Sequence, residues 1–209
     1  MTTRGVPSGD DRLRVAPWRG DPRTAYVVAR HGRPTAWALA RCVEQLRVGG
    51  YRAALTPALA PDDQAPWLVN GFEVHQRLHL LSRGVDPVAT SASPHLSMRR
   101  ARRSDRPAVL ALDHAAFPPF WCLDEHGLDD ALTATPSARF RLACDPDGSI
   151  VGYAVTGRAG PRGYLQRLAV SPAARRRGVG GALVRDSIQW LRRRGAREVL
   201  VNTQEDNDG

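Results

Sequence analysis

Residues 165–184 read LQRLAVSPAARRRGVGGALV, and this stretch decides the fold. The apolar segment at 164–170 predicts a strand, and the periodicity over about 180–194 predicts an amphipathic helix. A short Ser-Pro connection and a run rich in Arg and Gly lie between them. The first turn of a helix presents backbone N–H groups without intrahelical acceptors, together with partial positive charge. The order of strand, Arg/Gly loop and helix therefore indicates a site for an anion.

The loop itself narrows the choice of anion. Gly178 and Gly180 have no side chains to keep phosphate oxygens from the backbone, and the three preceding arginines add positive charge. A Walker loop is excluded because the chain contains no Lys. A dinucleotide fingerprint is excluded because Leu183 stands where its third Gly is required. The remaining pattern is Arg-x-x-Gly-x-Gly, beginning at Arg175.

The segment resembles the central motif of the GNAT superfamily of N-acetyltransferases, which carry an Arg/Gln-x-x-Gly-x-Gly/Ala loop between a strand and a helix. Residues 193–202 resemble the helix-to-strand passage that follows in the family, and Asn207 matches a family Asn near the next helix. The resemblance extends over residues 95–209. It implies an α/β (α+β) fold of the GNAT-like acyl-CoA N-acyltransferase type, with a twisted, mostly antiparallel mixed sheet flanked by helices.

The resemblance also implies contacts with acetyl-CoA as co-substrate. A strand edge pairs with the pantetheine arm, the loop holds the pyrophosphate, and an Asn side chain reaches the thiol end. The Val170 N–H is expected to stabilise the oxyanion that develops on the thioester. The implied cofactor-binding residues are Leu168, Ala169, Val170, Arg175, Arg176, Arg177, Gly178, Val179, Gly180, Gly181 and Asn207.

The resemblance transfers no catalytic residue. The sequence ends at Gly209, where the family's fourth helix begins, so the family's acid Tyr and last two strands have no counterpart. Asn202 stands where some protein N-terminal acetyltransferases carry a Glu base. The aromatic stretch at 117–121 is either core packing or a wall of the acceptor pocket. Other candidates for acceptor contact or proton transfer are Glu125, His126, Tyr153, Tyr164 and Glu205.

The first part of the chain repeats this order in a weaker form. Residues 86–94 are small, polar and Pro-bearing, which predicts a linker between residues 1–85 and 95–209. A helix is predicted at 36–48, followed by strands at 51–59 and 74–81. The loop before this helix keeps Gly32 but has Pro34 in place of the second Gly, which removes an N–H. We interpret residues 1–85 as a degenerate GNAT-like half-domain that does not bind coenzyme A.

Two accounts of the missing C-terminal strands stay open. Either the first half docks onto the second and completes its sheet, or the chain is truncated. Truncation is the favoured account, because a chain that stops at a helix cap leaves a sheet edge unpaired.

Composition limits the partners. The formal net charge is +9, but all 30 basic residues are Arg, which is typical of a compositional bias and disfavours nucleic acid as the partner. The charge still favours anionic ligands. The three cysteines, Cys42, Cys122 and Cys144, form no CxxC pair, so neither a metal site nor a disulfide framework is expected. The sequence contains neither a signal peptide nor an apolar run of membrane-spanning length, so we expect a cytoplasmic protein without a membrane partner.

These observations predict an acyltransferase (EC 2.3.1) that moves an acetyl group from acetyl-CoA to a primary amine by direct attack. The partner is expected to be a small-molecule or peptide amine, and the sequence does not specify an oligomeric state. Two alternatives stay open. One is a coenzyme A-binding sensor or pseudoenzyme, suggested by the absence of a transferable acid and base. The other is an Arg-rich nucleic-acid-binding protein, suggested by the net charge.

Overall fold

The computed structural model describes residues 13–19, 21–30, 32–86 and 96–205. The chain forms two compact units, Met1–Arg77 and Leu78–Gly209. The predicted linker at 86–94 lies outside the described residues, except for Asp86. The elements of the first unit are β1 (Leu13–Trp18), β2 (Asp21–Ala29), α1 (Ala36–Val48), β3 (Ala53–Leu55) and α2 (Ala65–Leu68).

The first unit is a small sheet covered by helices. Its strand order is β1-β2-β3, with β1 antiparallel to β2 and β3 parallel to β2. The parallel pair is joined through α1, whose Leu39 and Leu46 pack on Val27 of β2. Trp67 of α2 is 2% exposed and belongs to the same core. This unit therefore has an apolar core of its own.

The second unit contains a six-stranded sheet. Its elements are β4 (Leu78–Gly84), β5 (Ser97–Arg100), α3 (Arg106–Ala116), α4 (Glu125–Thr133), β6 (Ser137–Cys144), β7 (Ile150–Ala159), β8 (Arg162–Val170), α5 (Val179–Arg193) and β9 (Glu198–Gln204). The strand order is β4-β9-β8-β7-β6-β5, and every neighbouring pair is antiparallel except β8 and β9. The mixed α/β class with a mostly antiparallel sheet, as expected from the sequence, is confirmed.

Strand β4 comes from a region that the sequence analysis assigned to the first half. It pairs antiparallel with β9 along its full length, from Leu78 opposite Gln204 to Gly84 opposite Glu198. The division between the units therefore falls between Arg77 and Leu78, and not after residue 85. The strand predicted at 74–81 is shifted along the chain, because its last residues continue into the ladder with β9.

Helices cover both faces of this sheet. Val109 of α3 and Leu128 of α4 are buried with Tyr153 and Val155 of β7. Leu183 of α5 is buried with the intervening Ala154. Successive side chains of a strand point to opposite faces, so α3 and α4 lie on one face and α5 lies on the other.

Two glycines bring α5 close to the sheet. A Cβ at Gly152 would lie 2.9 Å from Val179 Cγ1 and 3.0 Å from the Ala169 carbonyl oxygen. A Cβ at Gly163 would clash with Leu191 Cδ1, at the other end of the helix. The missing side chains therefore set the height of α5 above the sheet at both of its ends.

Candidate active site

Strands β8 and β9 diverge within the sheet. They pair only from Arg162 opposite Glu198 to Tyr164 opposite Leu200. Beyond these pairs, the described residues of the two strands do not pair with each other, because β8 continues along β7 and β9 continues along β4. A gap therefore opens between residues 165–170 and residues 201–204.

The edge of β8 that faces this gap carries backbone groups from alternate residues. Ser171 N–H donates to the Val151 carbonyl at 2.9 Å, so the next opposed pair, Val170 and Gly152, is a non-hydrogen-bonded pair. By the same alternation, the N–H and C=O of Leu168 and Val170 point away from β7 and towards the gap. The backbone of Ala169 faces β7, and its side chain is buried. Of the three residues predicted to pair with pantetheine, Leu168 and Val170 present backbone groups on the open edge.

The Arg/Gly loop connects this edge to the start of α5. A 3₁₀ turn at Pro172–Ala174 ends β8, and Arg176 and Gly178 then adopt φ values of 62° and 81°. Left-handed residues of this kind turn successive N–H groups into an anion-binding concavity. Gly178 is the N-cap of α5 and supplies no side-chain cap.

The first turn of α5 lies against the end of β8. Ala182 N–H donates to the Gly178 carbonyl at 3.0 Å, which leaves the N–H groups of Val179, Gly180 and Gly181 at the mouth of the helix. A Cβ at Gly180 would lie 3.6 Å from Val170 Cγ2. The uncapped helix start and the open strand edge are therefore adjacent, and together they fit an extended ligand with a diphosphate.

The arginines of the loop have different surroundings. Arg177 donates to both oxygens of Asp145, in the turn after β6, at 3.2 and 2.8 Å. Arg175 donates to the Ala116 carbonyl, at the end of α3, at 3.2 Å. Arg176 is exposed. All three arginines are exposed, but Arg175 and Arg177 also brace the loop against neighbouring elements.

The corresponding helix start in the first unit has a side-chain cap. The pair β2 and β3 has the same parallel arrangement, limited to Thr24–Tyr26 opposite Ala53–Leu55. Here the helix start is capped, because the Thr35 side chain accepts the Ala38 N–H at 3.2 Å. Arg33 is paired with Asp63. One of the first-turn N–H groups that an anion would contact at this helix is therefore already satisfied by the protein.

The residues considered for proton transfer lie in unlike environments. Tyr153 is fully buried and donates to Asp113 at 2.5 Å, and burial, reinforced by the Asp113 carboxylate, raises the pKa of Tyr153 well above its ordinary value. Glu125 is exposed and pairs with Arg106 at 3.0 Å. His126 is exposed on α4. Neither α4 residue is brought to the gap by a contact that the structure shows.

The remaining candidates lie along β8 and β9. Tyr164 is half-buried at the last position before the strands diverge. Asn202 is exposed on β9, opposite Leu80 of β4, and Glu205 is exposed just beyond the strand. Asn207, predicted to contact the thiol end of coenzyme A, lies outside the described residues. Tyr164 is thus the titratable candidate placed where the gap begins.

Sequence reasoning missed a buried ion pair on the opposite face from α5. Asp113 of α3 is 0% exposed, and its two carboxylate oxygens accept from Arg167 Nε and Nη2, both at 2.8 Å. The sequence contains two indications of this pair, although neither is decisive. Asp113 falls one turn after the apolar Val109, on the buried face of its helix. Arg167 interrupts an otherwise apolar strand. A charged side chain buried at either position is unfavourable unless it pairs with a buried group of opposite charge.

A β-bulge explains how Arg167 reaches this face. In the ladder with β7, Arg167 lies opposite Val155, but Leu165 lies opposite Thr156, so Gln166 is an extra residue on β8. The Gln166 side chain lies over Gly157, because a Cβ there would be 2.5 Å from Gln166 Nε2. Gln166 and Arg167 therefore both occupy the face that carries α3 and α4.

Metal-binding clusters and membrane-spanning helices are both absent from the described residues. No group of three or more His, Cys, Asp or Glu side chains in that part of the chain is arranged to hold a metal ion. None of the helices there combines the length and apolar character needed to cross a bilayer.

Comparison with known proteins agrees with this architecture. A tandem GNAT protein from the clavulanic acid biosynthesis pathway is 16% identical with a TM-score of 0.67, over 93% of this chain and 70% of that one. A GCN5-related N-acetyltransferase from Sphaerobacter thermophilus is 18% identical with a TM-score of 0.62, over 94% and 69% of the two chains. One from Kribbella flavida is 15% identical with a TM-score of 0.60, over 88% and 74%. At these identities the likeness shows the fold.

No curated protein sequence matches the chain. The model of the acetyltransferase (GNAT) family matches residues 106–209, which include β8, the Arg/Gly loop and α5. The expected family resemblance of the C-terminal half is thereby confirmed, and residues 106–209 of this chain belong to the GNAT family of acetyltransferases.

Proposed function

We propose that the second unit transfers an acetyl group from acetyl-CoA to a primary amine of a small molecule or peptide. One observation carries the proposal: the uncapped start of α5 lies beside the open edge of β8. The N–H groups of residues 176–181 would hold the pyrophosphate, and the backbone of Leu168 and Val170 would pair with the pantetheine arm. Family membership supports acetyl-CoA as the donor.

The reaction that we propose is a direct displacement at the thioester. The amine nitrogen forms a bond to the acetyl carbon while the carbon–sulfur bond breaks, and the thiolate leaves with the electron pair of that bond. The nitrogen loses a proton and the thiolate gains one. The Val170 N–H points towards the gap and is the donor that we assign to the carbonyl oxygen.

The first unit has a separate role in this proposal. It repeats the strand, loop, helix and parallel strand of the second unit, but the Thr35 cap occupies its helix start. We propose that it is a degenerate GNAT-like half-domain without a coenzyme A site. The structural likeness to a tandem GNAT protein supports two related units in one chain.

The test is Gly180→Glu, with coenzyme A affinity measured by calorimetry. A carboxylate at the mouth of α5 repels the diphosphate and fills its place, so affinity should fall at least about 100-fold. Gly180→Ala is the steric control, because a Cβ there makes only ordinary contacts with Val170 and Leu168. Gln189→Glu is the charge control, since Gln189 is exposed further along the same helix. Unchanged affinity in Gly180→Glu would remove the site.

A second measurement separates a transferase from a protein that only binds coenzyme A. Release of free thiol from acetyl-CoA is followed with a panel of primary amines. Amine-dependent release that is lost in Gly180→Glu supports the transferase. Tight binding of acetyl-CoA without release by any amine supports the sensor instead.

A further inference from the structure

We propose that Arg167 is a positioning residue that fixes the aromatic segment, residues 117–124 between α3 and α4, as a rigid wall on the amine side of the gap. The proposal rests on the proposed function, because that function defines which reactant enters from which face. It assigns a role to a buried ion pair that the loop, the helix start and the strand edge do not use.

Arg167 and the helix start assigned to the diphosphate lie on opposite faces of the sheet. The helix start assigned to the diphosphate lies on the same face as the Leu168 and Val170 side chains, which a Cβ at Gly180 would contact. Arg167 lies on β8, the strand that borders the gap. Its side chain points to the opposite face, where the guanidinium contacts Asp113 of α3 and Trp121 of the aromatic segment. An amine that approaches the gap from the face opposite α5 therefore meets this segment.

The guanidinium of Arg167 contacts the aromatic segment at two points. Arg167 Nη2 donates to the Trp121 carbonyl at 2.7 Å, and Arg167 Cζ lies 3.5 Å from the centroid of the Phe117 ring. One side chain thus touches the aromatic segment near its beginning and near its middle. The side chain of Arg167 is only 12% exposed, so water screens these contacts little.

Asp113 extends the same network to the end of the segment. Its Oδ1 accepts the Leu123 N–H at 2.7 Å, and its Oδ2 accepts the Tyr153 hydroxyl in addition to Arg167 Nε. The Leu123 carbonyl accepts from His114 Nε2 at 2.8 Å. Backbone atoms of Trp121 and Leu123 are therefore tied to α3 and β8, and the segment is held along most of its length.

Arginine is specifically suited to this position. The planar guanidinium makes three kinds of contact. It forms a bidentate pair with Asp113, donates to a third acceptor at Trp121, and packs its face on Phe117. A lysine keeps the charge but makes only some of these contacts. Removing the cation alone leaves the Asp113 carboxylate buried without its counter-charge, which is strongly unfavourable.

The experiment measures how often the segment opens, with the Cys122 thiol as the reporter. Cys122 Sγ lies in the segment and donates to the Phe117 and Pro118 carbonyls at 3.4 Å. Cys42 and Cys144 are buried and serve as internal references. Alkylation of each thiol by iodoacetamide is followed by peptide mass spectrometry in the full chain. In Arg167→Lys we expect Cys122 to react about tenfold faster, and the references to be unchanged.

Two further variants keep the result interpretable. Arg139→Lys is the matched control, because Arg139 forms an equally bidentate pair with Asp186 of α5, at 3.0 and 3.0 Å, on the other face. If Arg167→Lys does not fold, the double variant Arg167→Met/Asp113→Asn removes both buried charges and is tested in its place. Acceleration of Cys122 no greater than in Arg139→Lys would overturn the proposal.

A second readout links the wall to the reaction. For any amine that turns over, KM for the amine should rise about tenfold in Arg167→Lys, while the affinity for coenzyme A stays within about twofold. A parallel loss of coenzyme A affinity would overturn the proposal. The alkylation readout needs no turnover, so a failure of the acetyltransferase proposal, seen with Gly180→Glu, is distinguishable from a failure of this one.

Discussion

Tyr153 shows how its surroundings can remove a residue from proton transfer. The hydroxyl is fully buried and its proton is donated to Asp113 in a hydrogen bond, and burial raises its pKa, which makes Tyr153 a weaker proton donor. Tyr153→Phe should therefore keep the turnover number. It should lower the free energy of unfolding by about 1–2 kcal/mol, because a buried carboxylate loses one donor. Thermal unfolding and thiol-release assays measure the two effects.

Tyr51→Phe is the matched control for this substitution, since Tyr51 is half-buried in the first unit. A turnover number reduced by orders of magnitude in Tyr153→Phe, with the fold intact, would show that the hydroxyl takes part in the chemistry.

Among single residues, the sequence predicts those that act through the backbone of a local motif. The helix start from Gly178 to Gly181 follows from consecutive residues and their neighbouring elements. The pair of Asp113 and Arg167 joins residues 54 positions apart, and no local pattern specifies that contact. The bulge at Gln166 was also missed, because a single extra residue in a ladder is defined by the partner strand.

The seating of α5 on the sheet is an element-scale property. At Gly152, a new Cβ would meet the Ala169 carbonyl at 3.0 Å and Val179 at 2.9 Å, and a backbone atom cannot rotate away. Gly152→Ala should lift the first turn of α5, destabilise the fold by about 1–3 kcal/mol and weaken coenzyme A binding. Calorimetry with coenzyme A and thermal unfolding measure both changes.

Gly163→Ala provides the comparison within the same helix. Its Cβ would meet the side-chain tip of Leu191, far from the Arg/Gly loop, so it should affect stability and leave coenzyme A affinity unchanged. Equal losses of affinity in both variants would mean that the height of the first turn is not what the ligand requires.

The elements of the second unit follow closely from periodicity, whereas those of the first unit do so only in part. The helix expected at about 180–194 is observed at Val179–Arg193. The strand expected at 51–59 is reduced to Ala53–Leu55, because Pro57 provides no N–H for a ladder. Strands β1 and β2 were not predicted, although Leu13 and Val15, and likewise Ala25 and Val27, are alternately buried. Their short apolar alternation is interrupted by Pro and Arg.

For the whole molecule, the sheet determines where the second unit begins. Because β4 pairs with β9 over seven residues, a fragment of residues 78–209 should unfold cooperatively. A fragment of residues 95–209 leaves an edge of β9 unpaired and should melt about 5 °C lower or more. Circular dichroism and amide exchange in β9 measure the difference. Identical melting of the two fragments would show that β4 contributes nothing to the unit.

The unlike starts of α1 and α5 have a thermodynamic consequence. Thr35 supplies an acceptor to one N–H group in the first turn of its helix, whatever the solution contains. Gly178 supplies no side-chain acceptor, so the first N–H groups of α5 are open to an acceptor from solution. By mass action, any diphosphate that binds the native state deepens the energy minimum of the second unit and leaves that of the first unchanged. If the second unit binds acetyl-CoA as we propose, the cellular supply of acetyl-CoA becomes a term in the folding equilibrium of that unit.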